Sequence, residues 1–319
     1  MNKSIKKSFL FLGLLFICAT AYGDHHKSNW SFKKETDKTS LYFEGQLVTS
    51  FHPAAENKPA LHPLIASDGQ DLTRAYPFSS REGEKTDHPH HTGVWFTHGD
   101  VNGLDFWHNG RGKPGEIVEQ SFTTKTQNNQ AIATGTYAWK NSQTQDVLLK
   151  SKRIITFTRH KDDILLDFEI VLTAQDEDVI FGDTKEGSFA LRLHPMMDAK
   201  KKDDKGTMLN SNGGSGKGIW GKKAKWVAYG GENKSGKNYS ISVFDHPQNL
   251  RHPTTWHARD YGLLAANPFG LSYYIDKNTN GDHTIEAQKS LTFKYRILVQ
   301  AQKTDAKNIE EHYKHYIQN

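Results

Sequence analysis

Cysteine is almost absent from this 319-residue chain: Cys18 is the only one. It lies inside an amino-terminal stretch that reads as an export leader, so the mature chain is expected to have no disulfide, no thiolate nucleophile and no cysteine-based metal site. Long apolar runs are lacking too. The run from Ser8 to Ala21 falls short of the about 20 residues a membrane span needs, and it follows three lysines, Lys3, Lys6 and Lys7. Small residues at Ala19, Ala21 and Gly23 complete the pattern of a cleaved signal, residues 1–23. A mature chain of residues 24–319, periplasmic or secreted and without a membrane span, is the expectation.

A continuous basic stripe is also missing. The net charge is +5, part of it in the leader, and the lysine groups at 200–205 and 217–225 are mixed with aspartate or glycine, so no nucleic-acid surface is expected. Mild positive charge does favour an anionic ligand. No glycine pattern for nucleotides, no G-x-S-x-G elbow and no H-E-x-x-H occurs, which argues against a dehydrogenase, a serine hydrolase and a helix-borne zinc protease. Proline- or serine-rich linkers and internal repeats are lacking, so one domain over 24–319 is expected.

Aromatic residues are plentiful: seven Trp, twelve Tyr and seventeen Phe provide burial area despite a mean hydropathy of −0.72. Period-two alternation dominates in segments 40–53, 131–140, 146–160, 162–174 and 290–302, separated by Asn-, Asp- and Gln-rich turns. Only 304–318 reads as a helix, with Ile309, Tyr313 and Tyr316 on one side. The expected fold is all-β: a large antiparallel β-sandwich with long loops and a short C-terminal helix. The glycine-rich loop at 213–221, flanked by Trp220 and Trp226, is either a surface excursion or a flap over a site.

Two blocks concentrate chemistry. In "DHPHHTGVWFTHGDVNGLDFW" (87–107), an extended backbone would point His88 and His90 one way and His91 the other. The histidines suit proton transfer near neutral pH, or a divalent metal held by His88, His90 and His98. Gly99 and Gly103 read as positive-φ turn positions, with Asp100 and Asp105 capping the turn or facing a ligand. In "FDHPQNLRHPTTWHARDYGLLAANPFG" (244–270), His257 and Tyr261 can move protons, Arg259 can fork onto an anion, and Trp256 can stack on a sugar ring. Arg74 and Arg192 are further candidates for the anion, Trp95 and Trp107 for stacking.

Together the blocks resemble the PmoA-like domain family, whose H-P-H-H-x-G-[LVI]-W-F…H-G-D-V-N-G-x-D-F-W and F-D-H-P-x-N…P-x-x-W-H-x-R-x-Y-G-x-x-x-x-N-P-F patterns they match; residues 210–231 match its lysine-bearing glycine loop. The methane oxygenation in that family's name does not suit a chain without a spanning run. The resemblance implies instead a β-rich exported protein of polysaccharide degradation, a dehydratase or lyase acting on ulvan-derived uronic oligosaccharides. For such an elimination, His90 or His91 is expected as base, His257 or Tyr261 as acid, and Arg259 with Arg192 or Arg74 as carboxylate clamp. A non-catalytic glycan-binding sandwich and a metal-dependent glycan hydrolase are the alternatives.

Overall fold

A computed structural model describes Met1 and residues 28–108, 112–127 and 129–318; the remainder of the expected leader lies outside the described residues. Two eight-stranded antiparallel sheets form the bulk of the chain. The first runs, edge to edge, through Trp30–Lys34, Thr39–Phe43, Gln46–Ala55, Lys58–Leu64, Val94–His98, Gly187–Arg192, Leu263–Ala266 and Trp256–Arg259. The second runs through Thr207–Asn210, Trp226–Glu232, Asn238–Asp245, Ser290–Gln300, Asp163–Ala174, Val147–His160, Gln130–Asn141 and Gly115–Gln127.

Their facing sides share one core that includes Phe96, Phe189 and Leu191 from the first sheet and Trp139, Phe168 and Tyr295 from the second. Tyr295 stacks on Phe189 at a centroid distance of 4.6 Å, and Phe168 meets it edge-on at 4.8 Å. The expected β-sandwich is present, and the alternating segments lie in its strands. Helix Ala306–Tyr316 covers the far side of the second sheet: Ile309, Tyr313 and Tyr316 are buried on Trp226, Phe244 and Leu298, the face expected from periodicity. Asp305 caps it by accepting from the Lys307 amide.

Strands of the first sheet that sequence periodicity missed, such as Val94–His98 and Gly187–Arg192, are buried at every position. Loops cover their outer side, so the alternation that marks a half-solvated strand is absent. Among the described residues no helix is long and apolar enough to cross a membrane.

Candidate functional site

The outer face of the first sheet carries a row of small side chains. Register aligns Ala60 with Trp95, Trp95 with Ala190, Ala190 with Ala265, and Ala265 with His257. The three methyl side chains in that row are buried with Trp95 and Trp107 in one apolar cluster, and His257 stands at the end of the row. Strand alternation places His257 and Arg259 together on this outer face and turns Trp256 and Ala258 to the core.

On the same side lies a cleft of about 760 Å³ lined by His88, His90, His91, His108, Lys185, Glu186, His257, Arg259, Tyr261 and their neighbours, a size that suits a small-molecule ligand. The two sequence blocks, far apart in the chain, thus share one cleft.

The histidine segment is a turn and not an extended strand. The His91 amide donates to the His88 carbonyl at 3.0 Å, and Pro89 sits at the position where its fixed φ favours a β-turn. The turn gathers all three rings on one side: His88 and His91 stack at 4.9 Å, and His90 lies edge-on to both at 5.6 and 4.5 Å. His91 is buried between His88 and Trp95. Burial, with the neighbouring His90 and Arg192 charges, holds its imidazole well below the ordinary histidine range, so it is neutral.

Arg74 underpins this turn. Its guanidinium, 1% exposed, donates to the carbonyls of Tyr76, Asp87 and His88 at 3.2, 2.7 and 2.7 Å and to Asp87 Oδ1 at 3.0 Å. It is turned away from the cleft, so the expectation that it clamps substrate is corrected: its donors are spent on the loop's own backbone. Arg192 is also behind the site. It is 4% exposed, with its guanidinium carbon 4.6 Å from the Tyr261 ring centroid, and it is not among the residues lining the cleft.

Three more expectations are corrected by strand alternation. Trp256 is fully buried between the sheets, with Nε1 donating to the Ala224 carbonyl at 2.9 Å, so it offers no stacking surface. Trp95 and Trp107 are buried beneath the cleft, 5.3 Å apart; Trp95 supports His91 from below and does not face a ligand. His98 lies three residues beyond Trp95, on the opposite face of the same strand. Its Nε2 meets the Gly182 carbonyl at 2.8 Å, its ring packs on Phe269, and complete burial drives it down to about 4. The set His88, His90 and His98 therefore does not assemble, and among the described residues no group of three or more metal-ligating side chains has the geometry to hold an ion.

His257 has a defined tautomer. Nδ1 lies 3.0 Å from the Lys185 carbonyl, which can only accept, so the ring hydrogen is on Nδ1 and Nε2 keeps its lone pair. Burial, against the pull of Glu186, lowers its imidazole to about 4. Tyr261 stays protonated: burial raises its phenol, and the Arg259 and Arg192 charges only moderate that rise. Arg259 is exposed to the cleft, 5.5 Å from the Tyr261 ring centroid.

Three cleft residues, Lys185, Glu186 and His108, were not foreseen. Lys185 and Glu186 form an ion pair at 2.8 Å in the loop entering strand Gly187–Arg192. Gly99 allows that loop its close approach, since a Cβ there would fall 2.9 Å from Glu186 Cβ; its role is space, whereas Gly103 does take the expected positive φ, +76°. His108 lines the cleft with Nδ1 2.8 Å from Asp105 Oδ2, a His–Asp spacing of three that the sequence displays. The glycine-rich loop, expected as a surface excursion or a flap, brings Trp220 edge-on to His257 at 6.4 Å and anchors itself by Lys217 to Asp260 at 3.2 Å, so it borders the site.

Residues 38–314 match the model of a family of unknown function, DUF6807. No curated protein matches the chain by sequence. Solved structures that resemble it include a galactose mutarotase-like protein from Clostridium acetobutylicum, at 9% identity over 85% of this chain and 95% of that one with a TM-score of 0.37. A galactose mutarotase related enzyme from Lactobacillus acidophilus shares 8% identity over 86% and 99%, TM-score 0.35. A glycoside hydrolase family 97 enzyme from Pseudoalteromonas sp. strain K8 shares 11% over 86% of this chain and 34% of that one, TM-score 0.33. No activity is carried from these likenesses to this chain.

Proposed function

The chain belongs to DUF6807, a family of unknown function, and from that premise we propose that it is an exported enzyme that eliminates water from uronic-acid-containing oligosaccharides. The observation that carries the reading is the convergence of His257, His108, Tyr261, Arg259 and Lys185 on one polar cleft. Elimination next to a carboxylate needs a base for the adjacent C–H, cationic or hydrogen-bonding groups where negative charge grows, and a proton for the departing oxygen.

His257 suits the base. Its bare Nε2 and its neutral state are fixed by the Lys185 carbonyl and by burial, so the acid role expected for it gives way to proton abstraction. Arg259 and Lys185 supply positive charge for the carboxylate, and the protonated Tyr261 hydroxyl adds a neutral donor beside them. His88 and His90 border the same space. The resemblance of the two sequence blocks to exported polysaccharide-degrading relatives agrees with this chemistry.

The test is incubation of the protein with saturated and unsaturated uronic oligosaccharides, read by mass spectrometry. A product lighter by one water, lost in His257→Gln, is expected. Oligosaccharides that bind but never change mass would replace the enzyme reading with that of a glycan-binding protein. Hydrolysed fragments would replace it with a hydrolase.

A further inference from the structure

We infer that His108, oriented by Asp105, is the catalytic acid that protonates the departing hydroxyl; this rests on the elimination reading above. Asp105 is a fixed carboxylate. Its Oδ1 accepts from the backbone amides of Trp107 and His108 at 2.8 and 3.0 Å, and its Oδ2 meets His108 Nδ1 at 2.8 Å. Burial works against its charge, and the bonds from His108 and the two amides outweigh that, keeping Asp105 ionised.

The turn bearing the pair is itself pinned. Asn57 Nδ2 donates to the carbonyls of Phe106, His108 and Gly115 at 3.3, 3.2 and 2.9 Å. The fully buried Lys58 donates to the Trp107 carbonyl at 3.1 Å. Such a frame fixes the direction of His108, whose ring sits 4.6 Å from His90 in the cleft wall.

The contrast with His257 assigns the roles. Both imidazoles offer Nε2 to the cleft, yet one is backed by a neutral carbonyl and the other by a carboxylate. The carboxylate stabilises an imidazolium more strongly than the carbonyl does, and burial of His257 outweighs the carbonyl's help and keeps that ring neutral. In the reaction, His257 Nε2 removes the proton from the carbon next to the carboxylate, and that C–H pair becomes the new C=C bond. The C–O bond at the next carbon breaks, and the oxygen takes the proton from His108 Nε2 and departs as water. One proton has gone from carbon to His257 and one from His108 to water, and exchange with solvent restores both.

The experiment compares a sugar acid whose hydroxyl lies β to the carboxylate with its analogue carrying fluoride there, a leaving group that needs no proton. With His108→Gln, kcat on the hydroxyl substrate is expected to fall by roughly 10²–10⁴-fold with little change in KM, while the fluoride analogue is still turned over near the wild-type rate. Asp105→Asn keeps the Oδ1 acceptor for the two amides but presents an NH₂ to Nδ1, reversing the ring tautomer. It is expected to give the same selective loss, rate retained on fluoride showing that each variant is folded. Equal loss on both substrates by both variants, or no loss on either, overturns the assignment, as does selective loss in Tyr261→Phe instead. If wild-type protein eliminates water from none of the uronic sugars, the elimination reading falls with it; if wild type and His108→Gln turn over alike, only the acid role falls.

Discussion

Replacing Arg74 by Met separates a structural pin from a substrate clamp. The substitution keeps the apolar stem and removes a buried guanidinium that donates to three backbone carbonyls at 3.2 Å or less and to Asp87. The Asp87 contribution is small, since that carboxylate is 44% exposed and screened by water. Each carbonyl bond from a charged donor contributes roughly 1.5–3 kcal/mol before desolvation of the cation is subtracted. Burial already costs this arginine some of its charge preference, lowering it to about 10. A net loss on the order of 3–5 kcal/mol follows, a fall in Tm of roughly 5–15 °C for a chain of this size. The assay is urea and thermal unfolding without ligand, together with amide hydrogen exchange across residues 87–91. Faster exchange of the His91 amide, which closes the turn, is expected with the loss of stability. Unchanged unfolding and exchange, with KM raised for acidic sugars alone, would refute the pin and restore the clamp.

Acid should weaken the fold before it protonates most carboxylates. His62, His98, His194 and His257 are held by burial at about 3, 4, 4 and 4. The unfolded chain, with histidines near 6.5, therefore binds more protons, and stability present above pH 6.5 is lost as pH falls from there towards 4, by up to about 1.4 kcal/mol per unit for each such group. Asp198, raised to about 6 by burial, acts oppositely and offsets one of them. Urea unfolding at pH 8, 7, 6 and 5 checks this, and a flat profile contradicts it. Trp256→Ala should cost roughly 3–5 kcal/mol as a core cavity, measured by denaturation, whereas a stacking residue would change ligand affinity at constant stability. Arg259→Met should weaken binding of a uronic oligosaccharide by titration calorimetry and leave its uncharged, reduced analogue unaffected; equal effects on both would remove the carboxylate contact.

The half-solvated strands, the helix face and the site's two chemical blocks were legible from local pattern alone. Strands such as Asp163–Ala174 alternate because one face meets the core and the other water. Ile309, Tyr313 and Tyr316 repeat with the helical turn because one stripe meets the second sheet. His257, Arg259 and Tyr261 were marked by the cost of burying so many ionisable groups for structure alone. Which of these groups faces a ligand was a tertiary decision. A strand shows its neighbours to opposite sides, so the sheet sent Trp256 and His98 into the core and His257 and Arg259 outward, and burial of both faces erased the alternation that could have told them apart. Pairing between strands far apart in sequence aligned Ala60, Ala190 and Ala265 into one buried row with Trp95 that no local window contains. The turn at Pro89 and the guanidinium of Arg74 then set the direction of three histidines, while the Asp105–His108 contact, legible only as a spacing, acquired chemical meaning once the fold placed it opposite His257's share of the same cleft wall.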